Sequence, residues 1–200
     1  MIGLQSLLPG ASGKLKWQVL NTSGTFVPSA ELLARGGVVR AILVPGGAGG
    51  SSGTIGGSTM YAGGHAGMPI DTLITLTGPT AYTVGAGGLG GASPQPGGNT
   101  SIAGVTATGG IVNMTNGTGG AGAGSLHNGS DGGIGLVLPI VGPCCAGGSR
   151  ISTSGQPSIS EAWGAASINK AAVPGKGSGG SGVSANFNGG SGSLVLIWEE

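Results

Sequence analysis

Short apolar runs alternate along this chain with long glycine-rich stretches. The run Val38–Val44 (VVRAILV) is rich in β-branched residues and stops at a proline-glycine pair, which predicts a strand. Residues 193–198 (SLVLIW) predict another strand after the last glycine block. Residues 17–26 alternate apolar and polar positions loosely around a Ser-Gly turn, so they indicate one strand and the start of a second.

Residues 29–35 predict a two-turn helix. Ser29 stands at the capping position, Glu31 lies in the first turn and Arg35 in the last, and two glycines at 36–37 stop the helix. Two short β-like runs in residues 71–84, on either side of a Gly-Pro pair, predict a hairpin.

Glycine supplies 49 of the 200 residues, and its blocks have two interpretations. Flexible linkers are the usual one, because ordering these glycines costs on the order of 25 to 50 kcal/mol relative to alanine. Packed polyglycine-II helices are the other, since chains without side chains can lie directly against one another and pair their amides and carbonyls. Strands stand immediately before the first block and after the last, which favours a mainly β fold: a small β platform carrying a packed polyglycine-II bundle.

Composition narrows the classes of function. Charged residues make up 6%, with seven basic against six acidic, which argues against a disordered tail and against electrostatic binding of nucleic acid. The amino terminus makes a poor signal peptide, and no apolar stretch reaches the length of a membrane span, so synthesis in a cytoplasm is expected. The adjacent Cys144 and Cys145 are expected to be reduced, since a disulfide between neighbours is strained and two ligands make no zinc site.

Four stretches carry a resemblance to a known family. They are SGTFVPSAELLARGGVVRAILVPGGAGG from Ser23, LTGPTAYTVGAGGLGG from Leu76, GGNTS from Gly97 with ATGG from Ala107, and GGSGSLVLIWEE from Gly189. In order and spacing, over roughly residues 17–200, they resemble the glycine-rich domain of bacteriophage tail and tail-fibre proteins. Residues 1–16 precede this domain and are interpreted as an attachment or ordering segment.

The resemblance implies a tail component of a virion, made in the host cytoplasm. In an adhesin of similar style on the long tail fibres of T-even-type phages, loops joining polyglycine-II helices bind a host-surface protein or glycan. The amino-terminal segment here is too short to match that adhesin's fibre-attachment domain. Other tail proteins and a host-surface protein or glycan are therefore the expected partners, and a homo-oligomer such as a trimer is left open.

An enzyme is not expected, because two histidines and six scattered carboxylates show no spacing that indicates acid-base chemistry, a metal site or a cofactor site. Recognition is expected where larger side chains interrupt the glycines, with Trp163 first. Trp17 and Trp198 are expected in the core. The candidate binding residues are Asn113, Met114, His127, Asn128, Leu138, Ile140, Ile159 and Trp163.

Three functions stay open at this level. The first is a receptor-binding adhesin. The second is a purely structural tail or baseplate subunit, in which the same aliphatic pieces pack against neighbouring subunits. The third is an ice-binding glycine bundle, which would require one uniform exposed face that the irregular blocks do not offer.

Overall fold

The structure is a computed structural model and describes residues 13–55, 58–113, 136–148, 172–180 and 188–200. These ranges contain one short helix and twelve strands, so the fold is mainly β as predicted. The elements are β1 (Leu15–Leu20), β2 (Gly24–Phe26), α1 (Ala30–Ala34), β3 (Val38–Val44), β4 (Ser51–Ile55), β5 (Ser58–Ala62), β6 (Ile70–Thr75), β7 (Thr80–Thr83), β8 (Thr100–Ile102), β9 (Val105–Ala107), β10 (Leu136–Leu138), β11 (Gly142–Cys144) and β12 (Ser193–Glu199).

The first sheet has the strand order β1-β12-β3-β6, and all of its neighbours are antiparallel. The strands predicted before the first glycine block and after the last one, β3 and β12, are both confirmed and lie side by side. Their register pairs Val44 with Ser193, so the chain leaves the sheet for the glycine blocks beside the place where it returns.

The second sheet has the order β2-β7-β8-β9 and is also antiparallel. Apolar side chains from both sheets form one core, because alternate residues of each strand point to the same face. The first sheet contributes Leu43, Leu196 and Ile74, and the second contributes Ile102 and Phe26. The two sheets therefore form the predicted β platform, with the core between them.

The predicted helix is confirmed. The Ser29 hydroxyl accepts a hydrogen bond from the Leu32 amide (3.1 Å), which caps the first turn, and Arg35 follows the last helical residue. Leu32 is buried and packs into the core between the sheets. The helix is therefore anchored to the platform by its single buried side chain.

The hairpin predicted for residues 71–84 is wrong, although both of its strands exist. β6 pairs with β3 in the first sheet, whereas β7 pairs with β2 and β8 in the second, so residues 76–79 cross between the sheets. Leu76 is 2% exposed, and its amide donates to the Gly37 carbonyl (2.8 Å). Burial of this leucine and its bond to the start of β3 override the local turn signal.

The hairpin β10–β11 packs on the outer face of the first sheet. Leu138 and Val141 cover Ile42 and Ile197, which are fully buried. Trp17 lies beside Ile197 on the edge strand β1, beyond this cover, and is 56% exposed. The expectation that Trp17 belongs to the core is therefore wrong, whereas Trp198 is partly buried and meets Phe26 edge to face, with ring centroids 5.4 Å apart.

Candidate functional site on the glycine segments

Eight extended segments with neither helix nor strand run side by side from the platform within the described part of the chain. Five lead away from the sheets and three lead back. They are numbered I (45–50), II (63–69), III (84–90), IV (95–99), V (108–113), VI (145–148), VII (177–180) and VIII (188–192). Segments II, IV and VIII are the returning ones, and they enter β6, β8 and β12.

Segment I lies at the centre, and its amides donate to three neighbours in turn. Gly46 donates to segment IV, Gly47 to segment VIII, Ala48 to segment II, and Gly49 to segment IV again, over distances of 2.9 to 3.0 Å. The partner segment therefore repeats after three residues. These partners are carbonyls of returning segments.

The carbonyls of segment I accept from the other three neighbours. Gly46 accepts from segment V, Gly47 from segment III, and Ala48 from segment VII, each at 2.8 Å. Gly50 then accepts from the amide of Gly91, the residue that follows segment III, at 2.9 Å. The partner segment of these carbonyls also repeats after three residues, from Gly47 to Gly50. All of the donors belong to outgoing segments or, for Gly91, directly follow one.

The six neighbours close a ring around segment I. Backbone hydrogen bonds of 2.7 to 3.3 Å join III to IV, IV to V, V to II, II to VII, VII to VIII, and VIII back to III. Outgoing and returning segments alternate around the ring. Segment VI lies outside it and pairs with II and VII through the amides of Gly148 and Gly179.

Glycine is required at the inward positions because backbone fills the space that a side chain would occupy. A Cβ on Gly47 would collide with the Ser178 carbonyl of segment VII, and a Cβ on Gly97 would collide with the Gly46 carbonyl of segment I. Buried amides and carbonyls need hydrogen-bond partners, and these close approaches supply them. In this ring the glycines act as packed scaffold, which contradicts the linker interpretation for these segments.

Larger side chains on the ring face outward at three-residue spacing. In segment III, Ala86 and Leu89 are exposed while glycines lie between them, and in segment V, Thr108 and Ile111 are exposed. Met68 of segment II is also exposed. Leu89, Ile111 and Met68 are 63%, 65% and 60% exposed, so three segments of the ring each present a large apolar group to solvent.

The sequence did not identify these outward residues as candidates. The signal was present as a large residue at every third position of a glycine segment, as in the stretch GAGGLG of segment III. The predicted candidates lie instead in the stretches that separate the glycine blocks.

Of the predicted binding residues, Asn113, Leu138 and Ile140 lie in the described ranges. Asn113 ends segment V with 4% exposure, and its backbone carbonyl accepts from the Ser51 hydroxyl (3.0 Å) just beyond the far end of segment I. Leu138 packs near Val44, at the platform end of segment I. Ile140 is 37% exposed in the turn of the hairpin, with a positive φ of 66°. Segment I separates Asn113 from the other two, so these three residues form no common site.

The remaining candidates lie outside the described residues. They are Met114, His127, Asn128, Ile159 and Trp163.

A second feature of the surface is an open groove of about 310 Å³ on the outer face of the first sheet, lined by Arg40, Asp71, Thr72 and Leu73. The Arg40 guanidinium binds the Asp71 carboxylate through two hydrogen bonds of 2.8 and 2.6 Å. The hydrogen bond to Asp71 raises the pKa of Arg40. The two side chains neutralise each other's charge, so the pair is best interpreted as a structural link between β3 and β6.

The described residues hold no group of three or more His, Cys, Asp or Glu side chains placed to bind a metal ion. No helix among them is long and apolar enough to cross a membrane. Comparison of the chain with models of protein families and with curated proteins gives no match.

Proposed function

We propose that this protein is a bacteriophage tail component in which the β platform carries a rigid polyglycine-II bundle that contacts the host surface. The observation that carries the proposal is the ring of six segments around segment I, with partners that repeat every three residues. A polyglycine-II helix has three residues per turn, so its successive amides point to three different neighbours and every third one to the same neighbour. The ring fits this geometry along both the donor and the acceptor series.

The rigid bundle supports a role in recognition because binding residues are commonly held on connections between the elements of a stiff scaffold. Two connections join glycine segments at the end remote from the platform: 51–62, which the structure describes except at residues 56–57, and 91–94. The tail assignment rests on the four sequence stretches that resemble tail and tail-fibre proteins. The bundle and the resemblance together favour an adhesin at an exposed position of the tail, in contact with other tail proteins and with a host protein or glycan.

Adsorption inhibition tests this proposal. Purified protein, added to susceptible bacteria before the phage that encodes it, is expected to slow adsorption by occupying the receptor. Trp163→Ala is expected to remove the inhibition, because tryptophan supplies large contact area at low entropic cost. Trp17→Ala is the matched control, since it removes an exposed tryptophan from the platform and should leave the inhibition unchanged.

A structural subunit of the tail is the second candidate, and the exposed apolar side chains of Leu89, Ile111 and Met68, which neighbouring subunits would cover, favour it. It predicts that Trp163→Ala prevents incorporation into virions without changing host range. Absence of the protein from purified virions, judged by mass spectrometry, would contradict both tail roles. An ice-binding role is disfavoured because the outward positions differ in size and polarity from segment to segment; thermal hysteresis of the purified protein would reopen it.

A further inference from the structure

Cys144 and Cys145 form an unusual pair where hairpin β10–β11 leads into segment VI. The Cys145 thiol donates to the Cys144 sulfur, and the two sulfurs are 3.0 Å apart. Both residues are fully buried. Cys145 has a φ of 60°, a conformation that residues with side chains adopt rarely. The Cys145 amide donates a hydrogen bond to the Lys176 carbonyl (2.7 Å), which holds this conformation.

We propose that Cys144 and Cys145 are a reversible redox site, which a small hydroperoxide converts into a disulfide between adjacent residues. The sulfurs already lie within about 1 Å of the separation of a covalent bond. The chain contains no further cysteine, so this is the single disulfide that one chain can form. This proposal is independent of the tail assignment.

The two sulfurs have different roles in the oxidation. The hydrogen bond from Cys145 lowers the pKa of Cys144, and the ammonium group of Lys176 acts in the same direction. The same hydrogen bond, together with burial, raises the pKa of Cys145. Cys144 is therefore the better nucleophile, since the thiolate is the reactive form, and Cys145 is placed to react second.

The steps balance with hydrogen peroxide as the oxidant. The Cys144 sulfur attacks one peroxide oxygen and breaks the O–O bond, which gives a sulfenic acid and, with the Cys144 proton, one water. The Cys145 sulfur then attacks the Cys144 sulfur, the S–O bond breaks, and the hydroxide leaves with the Cys145 proton as a second water. Two thiols are oxidised to one disulfide, and one peroxide is reduced to two waters.

Geometry makes this disulfide easy to reduce. Neighbouring Cα atoms are about 3.8 Å apart, which is shorter than the usual span of about 4.4 to 6.8 Å across a disulfide. A strained disulfide is more readily reduced, so the bond would serve as a labile site. Closure of the disulfide would act on segment VI, because the Cys145 amide donates to the Lys176 carbonyl and the Gly179 amide of segment VII donates to the Ala146 carbonyl.

Mass spectrometry of the intact protein tests the proposal. Equimolar hydrogen peroxide is expected to lower the mass by about 2 Da and to reduce the thiols that can be alkylated after denaturation from two to none. Dithiothreitol should restore both. A gain of about 32 Da on one cysteine, a disulfide-linked dimer, or two remaining thiols would each overturn the proposal.

Two variants separate the roles of the sulfurs. In Cys145→Ser, the sulfenic acid of Cys144 should persist and be trapped by dimedone, whereas the unaltered protein should give no adduct. Cys144→Ser should oxidise more slowly, because burial, which the substitution leaves in place, still raises the pKa of the remaining thiol. Equal rates in the two variants, each shown to be folded by circular dichroism, would contradict the assignment of Cys144 as the first nucleophile.

Discussion

Gly47 sits where the central segment approaches segment VII most closely. A methyl group there would meet the backbone carbonyl of Ser178, and backbone cannot rotate away as a flexible side chain could. Gly47→Ala is therefore expected to lower the free energy of unfolding by about 1 to 3 kcal/mol or more. Urea denaturation followed by tryptophan fluorescence measures the change.

Gly78→Ala is the matched control for this substitution. A Cβ at Gly78 would meet nothing within 4 Å, and its φ lies outside the left-handed region. The control should change stability by less than about 1 kcal/mol, with a small gain expected from the stiffer unfolded chain. Similar losses for the two variants would show that segment packing does not decide the cost.

His65 is expected to make the stability of the fold depend on pH. Its side chain is half-buried in segment II, and burial lowers its pKa from the ordinary value of about 6.5. The unfolded chain therefore binds the proton at a higher pH than the folded chain. Above about pH 6.5, His65 is neutral in both states and the free energy of unfolding should have its full value. As the pH falls from about 6.5 to the lowered pKa of the folded state, the free energy of unfolding should decrease.

The free energy of unfolding, measured between pH 5 and 8, checks this expectation. His65→Gln should flatten the profile, and His127 is present in both proteins. A profile unchanged by the substitution would contradict the assignment to His65.

At the scale of the elements, strands and helix were predictable where local sequence and buried partners agree. Val38–Val44 combines β-branched residues with a proline-glycine stop, and it is fully buried over its last four positions, so pattern and packing favour the same strand. Pairing was less predictable, as the crossing at Leu76 shows. A Gly-Pro pair indicates a turn, but it does not reveal which sheet each flanking strand joins.

The glycine-rich composition was enough to predict that the segments pack together, but not which segments lie beside one another. Hydrogen bonds such as those from Gly47 to Gly190 and from Gly64 to Gly180 join residues far apart in the chain, and glycine carries no side chain that would indicate its partner. The exposed Leu89 and Ile111 were missed for a related reason. Their orientation follows from a period of three, which differs from the periods of strands and α-helices.

At the scale of the molecule, platform and bundle should unfold together, since β3 continues into segment I and segment VIII continues into β12. Leu196→Ala truncates a fully buried side chain between the sheets and should cost about 2 to 5 kcal/mol. If the two parts unfold together, hydrogen exchange at the amides of Gly46 and Gly47 should become faster in this variant, by the factor that corresponds to the loss in free energy of unfolding. Neither amide touches Leu196, so a local effect would not explain the change.

Val27→Ala is the control, because Val27 is 68% exposed and its truncation should change stability by less than about 0.5 kcal/mol. Unchanged protection of the glycine amides in Leu196→Ala would show that the bundle is a separate cooperative unit. A single unfolding transition with equal calorimetric and van't Hoff enthalpies would support one unit.

Because the hydrogen-bond partners of segment I repeat every three residues, the position of a residue in the segment determines which neighbouring segment it faces. One extra residue after Gly46 would turn every later amide by a third of a revolution and direct it to the wrong neighbour, whereas three extra residues would restore the phase. The connection 91–94 joins segments beyond the ring and carries no such constraint on its length. Changes of length can therefore accumulate at the far end of the bundle, while the segments themselves can change only in triplets.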